Sequence, residues 1–157
     1  MSASGSDGLN RCPWARSDTL YIHYHDEEWG VPKTRDAEFF EKLILEGFQS
    51  GLSWLIILRK RENFRAAFVG FEPRAVAAFG EQDLARLMAD TGIVRNRAKI
   101  TAVINNARAT LGLSDGLDAL VWTYAGEPGP APATLADVPA STPASKALSA
   151  EQSTQAR

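Results

Sequence analysis

The sequence contains a single cysteine and no long apolar run, and each of these shortages excludes a class of protein. One cysteine among 157 residues rules out an internal disulfide framework and is typical of a reducing compartment. The apolar run that begins at Trp54 ends after Leu58, whereas a membrane-spanning helix needs about 20 apolar residues. We therefore expect a cytoplasmic protein that does not enter a membrane.

The sequence also lacks the common signals for targeting and for catalysis. Residues 1–10 are rich in serine and glycine, without the basic start and apolar centre of a signal peptide, and we expect a disordered tail there. There is no P-loop, no HExxH motif, no paired-cysteine motif and no Ser/His/Asp array. A function must therefore be sought in less common combinations of residues.

A strong excess of positive charge is missing as well. The formal net charge is −2, so overall charge does not favour a polyanionic partner. Two local basic clusters are present, at residues 59–61 and 95–99. In helical DNA-binding proteins such side chains hold phosphates, but charge runs are also common on solvated helix faces, and both interpretations stay open.

The pattern of apolar residues predicts an all-α fold. The chain is 45% hydrophobic and of one-domain length, and we expect one helical domain over residues 11–151, followed by a divergent tail at 152–157. Residues 20–32 alternate like a strand at first, but their acidic continuation fits a short helix or an irregular segment better. Asp36 is the predicted N-cap of the next helix, and Thr91-Gly92 the predicted end of a later one. Further helices are expected at 53–68, 73–79, 81–89, 96–111, 117–124 and 145–151.

The most informative stretch is residues 45–54. It follows an apolar helix face and places Glu46 where that helix should enter the interior, an expensive position for an unpaired carboxylate. Gly47 and Gly51 allow another group to approach the backbone, and Ser53 is suited to cap a helix that starts with Trp54. An acid, two glycines and an indole at a helix junction resemble a pocket. The alternative is an ordinary helix–loop–helix with a solvated glutamate.

Two other groups of residues are candidates for binding a ligand or a metal ion. The aromatic residues Trp14, Tyr21, Tyr24, Trp29 and Trp54 would sandwich a flat ligand such as a nucleobase, and near a carboxylate they would favour a cationic ring. Alternatively, these rings simply pack in a core.

Cys12 and His25 are a possible metal pair, since zinc favours thiolate and imidazole ligands. The chain has only one cysteine and two histidines, so it cannot complete a tetrahedral Cys/His site. His23 and Asp26 could contribute further ligands, but positions this close together rarely converge on one ion. A buried thiol with hydrogen-bonded histidines is the alternative.

Taken jointly, these segments resemble the DNA-3-methyladenine glycosylase I family, bacterial base-excision enzymes of the helix-hairpin-helix type. The resemblance runs from about Arg11 to Glu151. Its motifs are Arg11-Cys12-Pro13-Trp14, residues 21–22 with 24–26, Glu28-Trp29-Gly30-Val31-Pro32, residues 45–47 with Gln49, Gly51-Leu52-Ser53-Trp54, and residues 58–65, 71–73, 92–100 and 105–108.

The resemblance implies hydrolysis of the N-glycosidic bond of 3-methyladenine in alkylated double-stranded DNA. We expect no lyase step, because no lysine is singled out as a Schiff-base nucleophile, and we expect a monomer. The resemblance assigns Glu46 as the acceptor of hydrogen bonds from the flipped base, and Tyr24 and Trp54 as stacking residues. Tyr21, Trp14 and Trp29 would shape the pocket. Cys12 and His25 would be two of the four ligands of a structural zinc ion.

The end of the chain departs from the family pattern. The family continues past the position of Glu151 with a DNA-gripping hairpin and with the two remaining zinc ligands, which this sequence does not contain. The resemblance therefore predicts a truncated bundle with impaired activity. Two alternatives stay open: a non-catalytic helical module that binds DNA or nucleobases, and a glycosylase for a different lesion.

Overall fold

The computed structural model describes residues 8–127, 129–130 and 132–155, and these residues form helices joined by loops. They contain eight α-helices and no strand, which confirms the predicted all-α class. The α-helices are α1 (Thr19–Glu27), α2 (Asp36–Gln49), α3 (Trp54–Ala67), α4 (Pro73–Ala77), α5 (Glu81–Ala89), α6 (Arg97–Leu111), α7 (Gly116–Thr123) and α8 (Pro143–Gln155), and short 3-10 helices cover Pro13–Arg16, Val69–Phe71 and Leu135–Asp137.

The described residues divide into two compact units. The first comprises 8–32 and 132–138 and contains α1, and the second comprises 33–127, 129–130 and 139–155 and contains α2 to α8. The single domain predicted for residues 11–151 stays a prediction. Residues 1–7 of the expected tail and 156–157 of the expected divergent segment lie outside the described residues. Within the described part of the chain, no helix is both long and apolar enough to cross a bilayer.

The segment with strand-like alternation is helical. Asp18 caps α1, because its side chain accepts a hydrogen bond from the backbone N–H of Leu20 at 2.8 Å. The cap satisfies one of the backbone donors that a helix start leaves open. The helical interpretation of this segment is therefore confirmed, and the alternative of a strand is wrong.

The core of the second unit is built around Phe68, which is fully buried. Its ring stacks on Phe71 at a centroid distance of 5.6 Å and on Phe64 and Phe79 at 6.3 Å each. Phe48 from α2 approaches the same ring at 6.1 Å. Four aromatic rings from different segments thus meet on one side chain and join α2 and α3 to the chain that follows.

The junction between α2 and α3 follows the predicted turn chemistry. Gly51 has φ +82°, a left-handed conformation that glycine adopts without strain. Ser53 caps α3 as predicted, since its side chain accepts from the N–H of Ile56 at 3.3 Å. Within α3, Ile57 is fully buried, whereas its neighbour Ile56 is 38% exposed.

Basic side chains from neighbouring elements bind the backbone carbonyls at the C-terminal ends of four helices. At the end of α2, the Lys99 ammonium of α6 donates to the carbonyl oxygens of Phe48 at 2.9 Å and Ser50 at 2.6 Å. Arg86 of α5 donates in the same way to the carbonyl of Ala67, the last residue of α3, at 3.2 Å. Each cation thereby meets the partial negative charge of a helix C-terminus.

The other two helix ends have the same arrangement. Arg108 of α6 donates to the carbonyls of Ala77 and Phe79 at 3.1 and 3.2 Å, at the end of α4. Lys60 of α3 donates to the carbonyls of Thr91 and Gly92 at 3.3 and 3.1 Å, just after α5. These bonds tie helix ends that are distant in sequence into the second unit.

Two predicted helix caps are wrong. The N-cap of α2 is Arg35 and not Asp36, because the Asp36 carboxylate accepts instead from the backbone N–H of Asp118 in the first turn of α7, at 2.9 Å. Helix α5 ends at Asp90 rather than at Thr91-Gly92, since Asp90 is already extended and its side chain accepts from the Gly92 N–H at 2.8 Å. The Asp36 carboxylate thus holds a distant segment of the chain, whereas the Asp90 carboxylate closes a local turn.

Candidate functional site

Four of the predicted pocket aromatics lie in the first unit, where they surround Trp14. Ring-centroid distances from Trp14 are 5.7 Å to Tyr21, 6.3 Å to Tyr24 and 5.5 Å to Trp29. The Tyr21 and Trp29 rings meet Trp14 edge-on, a favourable arrangement for aromatic pairs. Tyr24 is buried, whereas Trp29 is 51% exposed. The structure therefore brings these four side chains together.

His25 is held at the margin of this aromatic cluster. Its ring stacks on Trp29 with centroids 5.5 Å apart and lies 5.3 Å from Trp14. Its Nδ1 is 2.9 Å from Asp26 Oδ1, and the backbone N–H of Cys12 approaches its Nε2 at 3.4 Å. The two residues of the predicted metal pair are thus neighbours within the first unit.

Arg11 fixes the carboxylate that orients His25. Its Nε and Nη2 donate to the two Asp26 oxygens at distances of 2.7 to 3.0 Å, and its side chain is only 6% exposed. A bidentate pair of this kind is strong and directional. Asp26 is therefore engaged with both Arg11 and the possible metal ligand His25.

The same contacts control the ionisation of Asp26. The Arg11 guanidinium, and after it the hydrogen bond from His25, holds the pKa of Asp26 below its usual 3.8. Because the pKa in the folded protein is depressed, the pairing contributes to stability above the ordinary pKa and is lost only as the pH falls through the lower value. The carboxylate is therefore ionised throughout the neutral range.

Glu46 and Trp54 lie in the second unit, and Glu46 agrees with the alternative of a solvated glutamate rather than with a buried carboxylate. Its side chain is 47% exposed, so the carboxylate does not enter the apolar interior. Helix α2 buries Ile44 and Phe48. Glu46 lies two positions from each, or about 200° around a helix of 3.6 residues per turn, and therefore projects from the opposite side.

A cation lies between Glu46 and Trp54. The Lys42 ammonium is 2.9 Å from Glu46 Oε1 and 4.2 Å from the centroid of the Trp54 ring, over its face. A carboxylate and an indole face are the two groups that best stabilise a positive charge at the edge of a protein. Glu46 and Trp54 are thus brought together around one ammonium group.

Gly47 and Gly51 leave open space next to the backbone between Glu46 and Trp54. Apart from the adjacent residues and, for Gly47, the backbone of its own helix, a methyl group built on Gly47 or on Gly51 would meet no atom of the described residues within 4 Å. Close packing within the chain therefore does not explain Gly47, whereas the left-handed φ of Gly51 explains that residue.

The basic clusters are only partly available to a polyanion. Lys60 and Lys99, predicted as phosphate-binding candidates, donate to backbone carbonyls and hold helix ends. Arg59, Arg95 and Arg97 are exposed. The two clusters are therefore neither wholly solvated faces nor wholly binding strips.

Three residues of these arrangements escaped the sequence analysis: Lys42, Arg11 as a partner of Asp26, and Asp26 as a partner of His25. Lys42 had a detectable signal, since it precedes Glu46 by four residues and i,i+4 side chains meet on a helix. Arg11 and Asp26 are separated by 15 positions, and their pairing has no local sequence signal.

Comparison with known proteins places the chain in one family. Residues 14–155 match the model of the methyladenine glycosylase family. DNA-3-methyladenine glycosylase 1 of Escherichia coli (strain K12) is 49% identical over 146 residues, which are 90% of this chain and 78% of that protein.

Solved structures agree with this match. A crystal structure of 3-methyladenine DNA glycosylase I has a TM-score of 0.88 and 46% identity, covering 94% of this chain and 84% of that one. A 3-methyladenine DNA glycosylase I in complex with 3-methyladenine has a TM-score of 0.87 and 32% identity, covering 94% of this chain and 82% of that one.

The helical fold and these matches define a DNA glycosylase of the all-α class. More particularly, the chain belongs to the methyladenine glycosylase family. The resemblance inferred from the sequence motifs is confirmed.

Proposed function

We propose that this protein excises 3-methyladenine from alkylated DNA by hydrolysing its N-glycosidic bond. The observation that carries the proposal is the convergence of Glu46 and Trp54 on a single cation, the Lys42 ammonium. A purine methylated at N3 is also a cation and is flat, so it suits the same carboxylate and indole face. Neutral adenine lacks the charge that such a site selects.

The chemistry of the lesion reduces the catalytic assistance that the protein must give to bond cleavage. Positive charge on the base weakens the bond between C1′ and N9, and when this bond breaks its electron pair neutralises the base. Water then adds to the oxocarbenium-like C1′ and releases a proton, so strong acid catalysis is not needed. Flipping the nucleotide out of the duplex costs a few kcal/mol, and favourable contacts between the protein and the base must offset this cost.

The residues have distinct roles in this proposal. Glu46 accepts hydrogen bonds from the flipped base and balances its charge, and Trp54 stacks on the ring. In the first unit, the resemblance gives Tyr24 a stacking role and gives Trp14, Tyr21 and Trp29 the role of shaping a pocket. The close aromatic packing around Trp14 supports this role, because it holds those side chains in fixed positions.

Chromatography of the released bases tests the activity. The purified chain is incubated with duplex DNA treated with a methylating agent, and the soluble fraction is analysed for free bases. We expect 3-methyladenine to be released in a time-dependent manner, and the DNA backbone to stay intact until it is treated with alkali. Untreated DNA is the control.

Two outcomes would favour the other interpretations. Binding to methylated DNA with no base in the soluble fraction would indicate a non-catalytic module. Release of another damaged base in preference to 3-methyladenine, from a panel of duplexes with single lesions, would indicate a different specificity. The cytoplasmic location and the monomeric state stay predictions.

Cys12 and His25 fit two positions of a zinc site, and we propose that they bind zinc. The Cys12 backbone adjoins the His25 ring, and a thiolate and an imidazole are preferred zinc ligands. Within the described ranges no group of three or more histidine, cysteine or acidic residues is placed to hold a metal ion. The zinc ion would be structural and take no part in bond cleavage.

Replacing Asp26 with asparagine should weaken zinc binding by about ten- to a hundredfold, as loss of such a partner does in metal sites. Asp26 holds Nδ1 of His25, so that Nε2 is the ring nitrogen that faces Cys12 and would bind the metal. Zinc affinity is measured by competition with a chromophoric chelator, and Glu27→Gln on the same helix is the control for charge. Equal affinities of Asp26→Asn and the unaltered chain would refute the positioning role, and no zinc binding by the unaltered chain would refute the site.

A further inference from the structure

We propose that Lys42 determines the affinity of this enzyme for its cationic base, because its ammonium group occupies the position that the base must take. The inference rests on the proposed function, which assigns Glu46 and Trp54 to contacts with the base. It adds a residue that the assignment does not include. In this view Lys42 is an internal competitor of the lesion.

The geometry of the ammonium group supports this role. Its Nζ lies 2.9 Å from Glu46 Oε1 and 4.2 Å from the Trp54 centroid, so it uses both groups at once. A methylated adenine that stacks on this face of Trp54 and bonds to Glu46 would meet Nζ directly. The ammonium must therefore leave when the base enters.

The exposure of the pair allows this exchange. The side chains of Lys42 and Glu46 are 43% and 47% exposed. The flexible four-carbon stem of the lysine can move its ammonium group into water. Exposed ion pairs and exposed cation–π contacts are weak, and together they reduce affinity for a competing cation by about three- to tenfold. Lys42 therefore lowers affinity without closing the site.

Charge distinguishes the effect on a cation from the effect on a neutral base. One carboxylate cannot balance two adjacent positive charges, so an ammonium group that stays nearby repels a cationic purine. A neutral purine experiences only the displacement and not the repulsion. Removing the charge of Lys42 should therefore improve the binding of the cation more than that of its neutral counterpart.

The test is a calorimetric titration with 3,9-dimethyladeninium, whose charge does not depend on pH, and with neutral 9-methyladenine. Lys42→Met keeps an unbranched side chain and removes the charge, Lys42→Arg keeps the charge, and Lys146→Met removes a charge from α8. We expect Lys42→Met to bind the cation about three- to tenfold more tightly than the unaltered chain does. The other two variants should bind the cation with an affinity close to that of the unaltered chain. The gain for 9-methyladenine should be smaller.

The outcomes separate the competitor role from the proposed function. If the cation binds the unaltered chain and Glu46→Gln weakens this binding, but Lys42→Met leaves it unchanged or weaker, the competitor role is wrong and the base site stands. Tighter binding by Lys42→Met with equal gains for the cation and the neutral purine would also overturn it. If the unaltered chain binds no cation and releases no 3-methyladenine, both proposals fail.

Discussion

Replacing Glu46 with glutamine is expected to reduce kcat/KM for excision of 3-methyladenine by about ten- to a hundredfold, the usual value of a hydrogen bond to a charged group. Glutamine keeps the size of the side chain but removes the negative charge that balances the cationic base. Single-turnover release of 3-methyladenine from methylated duplex DNA measures the effect. Stability should change little, because the carboxylate is 47% exposed and its ion pair with Lys42 lies at the surface.

Glu127→Gln is the matched control for Glu46→Gln. Glu127 is exposed in the loop after α7, and its substitution makes the same change in net charge. We expect this variant to retain the activity of the unaltered chain. Full activity of Glu46→Gln with the same melting temperature would show that the carboxylate does not contact the base.

The largest effect on stability is expected for Phe68→Ala, which should lower the free energy of unfolding by about 3–5 kcal/mol. Phe68 is fully buried and stacks on three other phenylalanines, so its removal leaves a cavity lined by rings that cannot all move inward. Such a loss is a large part of the roughly 5–15 kcal/mol that stabilises an ordinary domain. Urea denaturation followed by far-ultraviolet circular dichroism measures it.

Phe39→Ala is the control for Phe68→Ala. Phe39 is only partly buried and meets one ring, that of Trp122, edge-on at 6.3 Å. Truncating it removes the same atoms from a place that water already reaches in part, and we expect a smaller loss. Equal losses for the two variants would contradict the central position of Phe68.

Helices were predictable where periodicity and capping chemistry act locally. The regular apolar spacing of α6 and the serine that caps α3 are examples, and both are present. The start of α2 and the end of α5 were not predictable in the same way, because the carboxylates of Asp36 and Asp90 bind backbone groups outside the expected cap positions. A residue suited to a cap is equally suited to other backbone donors, and only the tertiary fold decides between them.

The turn at Val69–Phe71 shows another limit. All three residues have positive φ, although only Gly70 has the conformational freedom to adopt it without cost. The sequence around Val69 and Phe71 contains no signal for such a turn. Burial of Phe71 in the core offsets the backbone strain, and this energy comes from residues that are distant in sequence.

For the candidate site, sequence predicted the residue types better than their surroundings. The aromatic group around Trp14 was expected and is present, because its members are close in sequence. For Glu46 the sequence left open a buried carboxylate and a solvated one, and the side chain is exposed, because helix α2 turns its apolar face away from that position. The motif thus identified the side chain, whereas the helix geometry determines how much water reaches it.

The lysines and arginines that bind helix ends also affect how this protein should respond to salt. Each phosphate that a basic side chain neutralises releases condensed counterions when a protein binds a nucleic acid. The number of neutralised phosphates therefore determines how steeply the affinity falls with salt. Lys60, Arg86, Lys99 and Arg108 already donate to backbone carbonyls, so a contact with a phosphate would compete with the hydrogen bonds that hold these helix ends. The affinity of this glycosylase for DNA should therefore fall less steeply with salt than its count of basic residues suggests.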